Sequence, residues 1–177
     1  MKNFTRILIL TGGLIFFINS NSYAMVDVSA YAGFTRGNIE NVDDFSAYHF
    51  AGKAHYNTSL APLVEMGFGA YYEWSRIKPD FSDSKATELN RKALGLDFNL
   101  ILTIPIINPY ARLTYGIFDK VEGDKEYFKA WGLGAGLEIV ILPFFRIFGE
   151  YMYDVTDHGN YVKLTSKTGN LGVKFNF

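Results

Sequence analysis

The sequence predicts an all-β fold, an eight-stranded antiparallel up-and-down barrel. Three observations point there. Apolar residues recur with a period of two in eight separate segments, and short and long connections alternate between them. The chain is also rich in small and ring side chains and poor in charge, with 17 glycines, 17% aromatic residues and 20% charged residues. The aromatic content and a net charge of −1 exclude a disordered chain and leave no basic surplus for nucleic acid. Cysteine is absent, which removes disulfide scaffolds, thiolate metal sites, cysteine nucleophiles and a lipidated N-terminal cysteine anchor.

The first element is a leader. Lys2 and Arg6 precede the apolar run Ile7–Ile18, and Ser22 and Ala24 supply the small residues of a cleavage site. A run of that length makes a helix of about 18 Å, too short for a hydrocarbon core of about 30 Å. Residues 1–24 are therefore expected to be a cleaved signal peptide and residues 25–177 the barrel.

Strand one runs Val26–Phe34, with Asp27, Ser29, Tyr31 and Gly33 on its more polar face. In strand two, Tyr48–Tyr56, the corresponding face carries His49, Ala51, Lys53 and His55. Strand three, Val64–Trp74, sets Glu65, Gly67, Gly69, Tyr71 and Glu73 against an apolar face. Strand four, Leu94–Leu102, opposes four leucines and a phenylalanine to Gly95, Asp97, Asn99 and Ile101. Strand five, Ala111–Ile117, carries Arg112, Thr114 and Gly116, and strand six, Trp131–Ile139, three glycines and Glu138. Strand seven, Ile147–Tyr153, places Phe148, Glu150 and Met152 on the second face, and strand eight ends the chain at Leu171–Phe177.

The connections Asn57–Pro62, Thr103–Pro109 and Leu142–Arg146 are short and contain proline, whereas Arg36–Asp44, Ser75–Lys92, Asp119–Glu126 and Thr156–Ser166 are longer and polar. Membrane barrels show this asymmetry, with the short turns periplasmic, and an even strand number returns both termini to that side. Alternation does not say which face is outside, because a soluble barrel and a membrane barrel both have one apolar face. Three features favour apolar-out, a transmembrane β-barrel. The polar face mixes charges with glycines, which suits a narrow interior. Aromatics gather toward strand ends (Tyr56, Tyr72, Trp74, Trp131, Tyr153, Phe175, Phe177), as interfacial girdles do, and no helix follows the last strand.

The C-terminal segment Asn170-Leu171-Gly172-Val173-Lys174-Phe175-Asn176-Phe177 resembles the assembly signal of bacterial outer-membrane proteins: a polar residue (Asn170), a glycine two later (Gly172), then alternating aromatics (Phe175, Phe177). With eight strands, the chain resembles the small outer-membrane β-barrel family of the OmpA transmembrane domain and OmpX. The resemblance implies residence in the bacterial outer membrane among lipid and lipopolysaccharide, insertion by the barrel-assembly machinery, and a monomer.

Charges on the inward face need partners at lipid depth. Lys53 and Glu65 are symmetric about Ser59, Asp97 and Arg112 about the middle of Thr103–Pro109, and Glu138 and Arg146 about Leu142. Asp27 and Lys174 belong to the first and last strands, which meet when a barrel closes. These four pairs are expected to form a salt-bridged interior that plugs the lumen, leaving Glu73 and Glu150 for arginines or lysines from the loop ends.

No catalytic, cofactor or metal site is expected. Some outer-membrane barrels of this size are lipid A deacylases with a serine two residues after a histidine, but His158 is followed by Gly159 and Asn160. His49 and His55 share a face about 20 Å apart, too far to hold one metal. Asp43 and Asp44, Asp80 and Asp83, and Asp119, Glu122 and Asp124 place acids in the longer connections without EF-hand spacing, so they read as solvated loop residues. The expected role is non-enzymatic, structural or interactional, through four surface loops. The alternative is a narrow porin-like or OmpW-like channel for ions or small molecules, and a lipid A-modifying enzyme is a third class.

Overall fold

The computed structural model describes residues 25–39, 44–79, 88–122, 129–158 and 162–177, so the expected signal peptide lies outside the described residues. Eight strands follow in chain order: β1 (Met25–Ile39), β2 (Asp44–Ala61), β3 (Val64–Pro79), β4 (Leu89–Leu102), β5 (Ile107–Val121), β6 (Lys129–Leu142), β7 (Phe145–His158) and β8 (Val162–Asn176). Each pairs antiparallel with its neighbours, and β8 returns to β1, so the sheet closes and leaves no open edge.

The strands extend beyond the apolar segments at both ends. The expected turn Asn57–Pro62 is strand as far as Ala61, and the chain reverses at Pro62 and Leu63. The other two reversals fall at 103–106 and at Pro143 and Phe144. At the opposite end Arg36, Ser75, Lys92, Asp119 and Thr156 are strand residues, not loop residues. The reason is the ladder: backbone groups stay paired across the barrel wall after the side chains stop alternating in polarity. The three reversals define a turn end, and the opposite rim is the loop end.

Alternation then sorts the side chains. Phe50, Tyr48 and Leu171 project from the outer face, at 61%, 67% and 73% exposed. Asp27, Lys53, Asp97, Arg112 and Glu138 point inward and are buried. Apolar and charged side chains are therefore inverted relative to a water-soluble core.

One irregularity redirects a charge. Leu94 pairs with Phe118 and Gly95 with Gly116, so Ile117 has no opposite residue on β4. This bulge advances the alternation of β5 by one position. Arg112, Thr114 and Gly116 face inward below it, and Asp119, 1% exposed, faces inward above it.

Candidate functional site

The lumen holds the polar residues of every strand, arranged in three tiers. At the turn end His55 lies between two aspartates, with Nδ1 3.0 Å from Asp27 and Nε2 3.2 Å from Asp97. The Asn57 amide donates to Asp27 at 2.6 Å, and Lys174 reaches Asp27 at 3.3 Å. Lys174 also contacts Glu138, which accepts from Arg146 at 2.9 Å. This tier links β4 and β2 to β1, and through β8 to β6 and β7.

The middle tier centres on Glu150, whose carboxylate accepts from four residues. Tyr110 donates at 2.8 Å, Asn170 at 2.9 Å, Lys53 at 3.5 Å, and Arg112 makes a closer contact. Arg112 spans the lumen: its Nε donates to Asp97 at 2.8 Å and its Nη2 to the Tyr31 hydroxyl at 3.1 Å. The Lys53 ammonium sits among the rings of Tyr31, Tyr110 and Phe148, 5.4, 5.7 and 4.6 Å from their centroids, where a cation is attracted to the π faces. Lys53, Arg112 and Glu150 are all buried. Gly172 makes room for this tier, since a Cβ there would lie 2.6 Å from both Phe148 Cζ and Tyr31 Cβ.

In the loop-end tier Arg91 donates to Asp119 at 2.8 Å and to Glu73 at 3.2 Å. Above the middle tier the lumen opens into a cavity of about 100 Å³ lined by Glu73, Arg91, Asp119, Asp154 and several hydroxyls.

The expected pairs are placed as follows. Asp97 meets Arg112, Glu138 meets Arg146, and Asp27 meets Lys174. None of the three is directly cross-strand. Asp97 lies opposite Thr114, Glu138 opposite Phe148, and Asp27 opposite Asn176, so each contact is a diagonal one, two residues along the partner strand. Lys53 and Glu65 do not meet. Because β2 turns back at Pro62 and Leu63, Lys53 lies opposite Tyr71 and Glu65 opposite Ser59, and Lys53 pairs with Glu150 across the lumen. Glu73, left without a partner by the sequence pattern, receives Arg91 from the neighbouring strand.

Asn170 and Gly172 of the C-terminal segment face the lumen, where Asn170 bonds His49 at 2.6 Å. Phe175 and Phe177 face outward at 40% and 76% exposed. The two inward histidines serve separate tiers. Asp119, expected as a solvated loop acid, is instead a buried lumen residue of β5; strict alternation from Arg112 would point it outward, and the bulge turns it in. Glu122 accepts from Asn90 at 2.6 Å and Asp44 from Asn38 at 2.9 Å at the rim. Asp43, Asp80, Asp83, Asp124 and the His158 side chain lie outside the described residues.

Neither a known family model nor a curated protein sequence matches the chain. Solved structures do. Neisserial surface protein A is 19% identical with a TM-score of 0.64, over 86% of this chain and 97% of that one. Ail, the attachment invasion locus protein of Yersinia pestis, is 17% identical with a TM-score of 0.51, over 87% of this chain and 99% of that one. Both are small outer-membrane β-barrels, and this chain has their fold.

Proposed function

We propose that the protein is a non-enzymatic outer-membrane β-barrel whose lumen is sealed by ion pairs and whose interactions are made at the loop end. The observation that carries this reading is the Arg112–Glu150–Lys53 cluster, which links β2, β5 and β7 across the middle of the lumen with all three side chains buried. An eight-stranded barrel has an interior just wide enough to be filled by side chains, and here those side chains are bonded to one another. In this reading residues 1–24 direct export and both termini lie in the periplasm. The segment Asn170, Gly172, Phe175 and Phe177 engages the barrel-assembly machinery, and the folded monomer sits among outer-membrane lipid and lipopolysaccharide. The four loops face the outside and carry any recognition.

The test is electrical. Residues 25–177, refolded in detergent and checked by a heat-dependent gel shift, are inserted into a planar lipid bilayer. A silent membrane with folded protein present is the expected outcome. Discrete, reproducible current steps would transfer the protein to the channel class and make the same charges selectivity residues.

A further inference from the structure

The charges on the outer face are confined to one end and are mostly of one sign. Among the described strand residues, Arg36, Arg76, Lys78, Lys92, Lys120 and Lys167 face outward against Asp44 alone. All belong to the loop-end part of their strands, whereas the turn-end charges Asp27, Glu138, Arg146 and Lys174 bond one another inside the lumen. The register then sets four of the outer cations in two pairs. Arg36 on β1 lies directly opposite Lys167 on β8, and Lys92 on β4 lies directly opposite Lys120 on β5.

Directly opposite side chains leave their strands about 4.5–5.5 Å apart on one face, and like charges so placed destabilise a sheet. The chain does not offset them. Arg76 has Glu88 at 3.5 Å, but none of the four paired cations has a carboxylate in ion-pair reach among the described residues. The acids beside them are held by amides, Asp44 by Asn38 at 2.9 Å and Glu122 by Asn90 at 2.6 Å. Each pair also adjoins the outward rings. The Arg36 guanidinium carbon lies 5.8 Å from the centre of the Phe34 ring, Tyr153 is opposite Lys167, and Trp74 is opposite Lys92. Such rings mark the headgroup level of a bilayer, so the cations stand where lipid phosphates do. Arg36 and Lys167 further line a groove of about 500 Å³ with Asn38, Tyr153, Thr165 and Ser166, which has room for a headgroup and its hydroxyls.

We propose that each pair holds the terminal phosphate of a lipid headgroup in the leaflet around the loop end, one phosphate between Arg36 and Lys167 and one between Lys92 and Lys120. A phosphate monoester carries close to two negative charges and three strong acceptor oxygens, which matches two cationic donors side by side. The proposal rests on the membrane reading above and adds to it the class of lipid and the residues that select it.

Residues 25–177 carrying Trp131→Phe, so that Trp74 alone reports, are refolded into phosphatidylcholine bilayers containing a minor fraction of one brominated lipid. Phosphatidic acid, phosphatidylglycerol and phosphatidylcholine are compared, and quenching of Trp74 measures how far each is enriched beside Lys92. Phosphatidic acid is expected to quench beyond random mixing and beyond phosphatidylglycerol. A basic residue at an anionic surface adds about a fivefold preference, so Lys92→Gln with Lys120→Gln brings phosphatidic acid back to the level of phosphatidylcholine. The other pair is read through Tyr153→Trp in a chain with Trp74→Phe and Trp131→Phe, with Arg36→Gln and Lys167→Gln as its losses. The gel shift checks that every variant folds. In bilayers made wholly of brominated phosphatidylcholine, an unquenched Trp74 would remove the membrane reading and the proposal with it. Strong quenching there, with phosphatidic acid no more enriched than phosphatidylglycerol or unaffected by the glutamine exchanges, overturns the phosphate sites alone. Enrichment abolished by millimolar inorganic phosphate would assign the pairs to soluble phosphate and overturn the lipid assignment.

Discussion

Arg112 is the side chain on which most of the lumen converges. It donates to Asp97 and Tyr31 and contacts Glu150, while its guanidinium carbon lies 5.4 Å from the Tyr31 ring centre and 5.9 Å from that of Tyr71. Replacing it with leucine leaves Asp97 and Glu150 buried with their main cation gone. Removing one member of a buried pair costs about 3–5 kcal/mol, so Arg112→Leu is expected to lower the urea midpoint of the refolded chain markedly. A midpoint equal to that of the native protein would mean that the cluster contributes packing and little else. The charge types were legible in the sequence because an inward acid or base at lipid depth must find a partner. The partners themselves were legible only where an error in register was small. Taking Thr103–Pro109 and Leu142–Arg146 as symmetric turns misplaces the register by a single diagonal step, which long side chains span. Taking Ser59 as a centre shifts Glu65 six residues along β3 from the position facing Lys53, about 20 Å of strand. Glu150 could not be assigned by hairpin symmetry at all, since Lys53 and Arg112 reach it across the lumen from strands that are not its neighbours.

At the scale of the strand, the period-two pattern located all eight elements and the correct inward face of each, because outward-facing and lumen-facing positions alternate along the strands except at the β5 bulge. It missed the rims, where both faces are polar and the alternation vanishes although the ladder continues. It also missed the β5 bulge, since Gly116-Ile117-Phe118 reads as unbroken strand. That bulge decides where Asp119 points, and through Asp119 it decides how Arg91 is held. Deleting Ile117 removes the extra residue, so the pairs Leu94–Phe118 and Gly95–Gly116 become consecutive rungs of a regular ladder. Phe118 then stays beside Leu94 on the outer face, and Asp119 stays inward within reach of Arg91. The deletion is therefore expected to fold and to shift the urea midpoint little. In a version carrying Asp119→Cys, labelling by a lipid-soluble maleimide should be the same with and without the deletion. A rise in labelling on deletion would show that the ladder re-registers and turns position 119 outward.

For the whole molecule, the decisive property is the inversion of polarity. Closure of β8 onto β1 satisfies the backbone internally, which is the condition a spanning structure must meet in lipid. The side chains then distribute as a membrane solvent requires: the charged network inside and an outer belt of leucine, isoleucine, valine and aromatics. The two tryptophans test this directly, since the chain has only Trp74 and Trp131. Both occupy outward positions, Trp74 stacked on Phe50 with ring centres 6.4 Å apart and Trp131 47% exposed. Both belong to the loop-end half of their strands, β3 rising toward that rim at Pro79 and β6 leaving it at Lys129. A lipid-facing tryptophan at that height sits near the headgroups. Refolded into bilayers of brominated lipid, the protein should lose most of its tryptophan fluorescence, and bromine placed near the headgroup should quench more than bromine at the end of the acyl chain. Acrylamide in the water phase should quench weakly. A soluble barrel would bury its apolar face and could not give that result with this register, because the tryptophans lie on the opposite face from Arg112 and Glu150. Strong acrylamide quenching with no bromine effect would place the belt in water, and the ion-paired lumen would then have to be explained without a membrane around it.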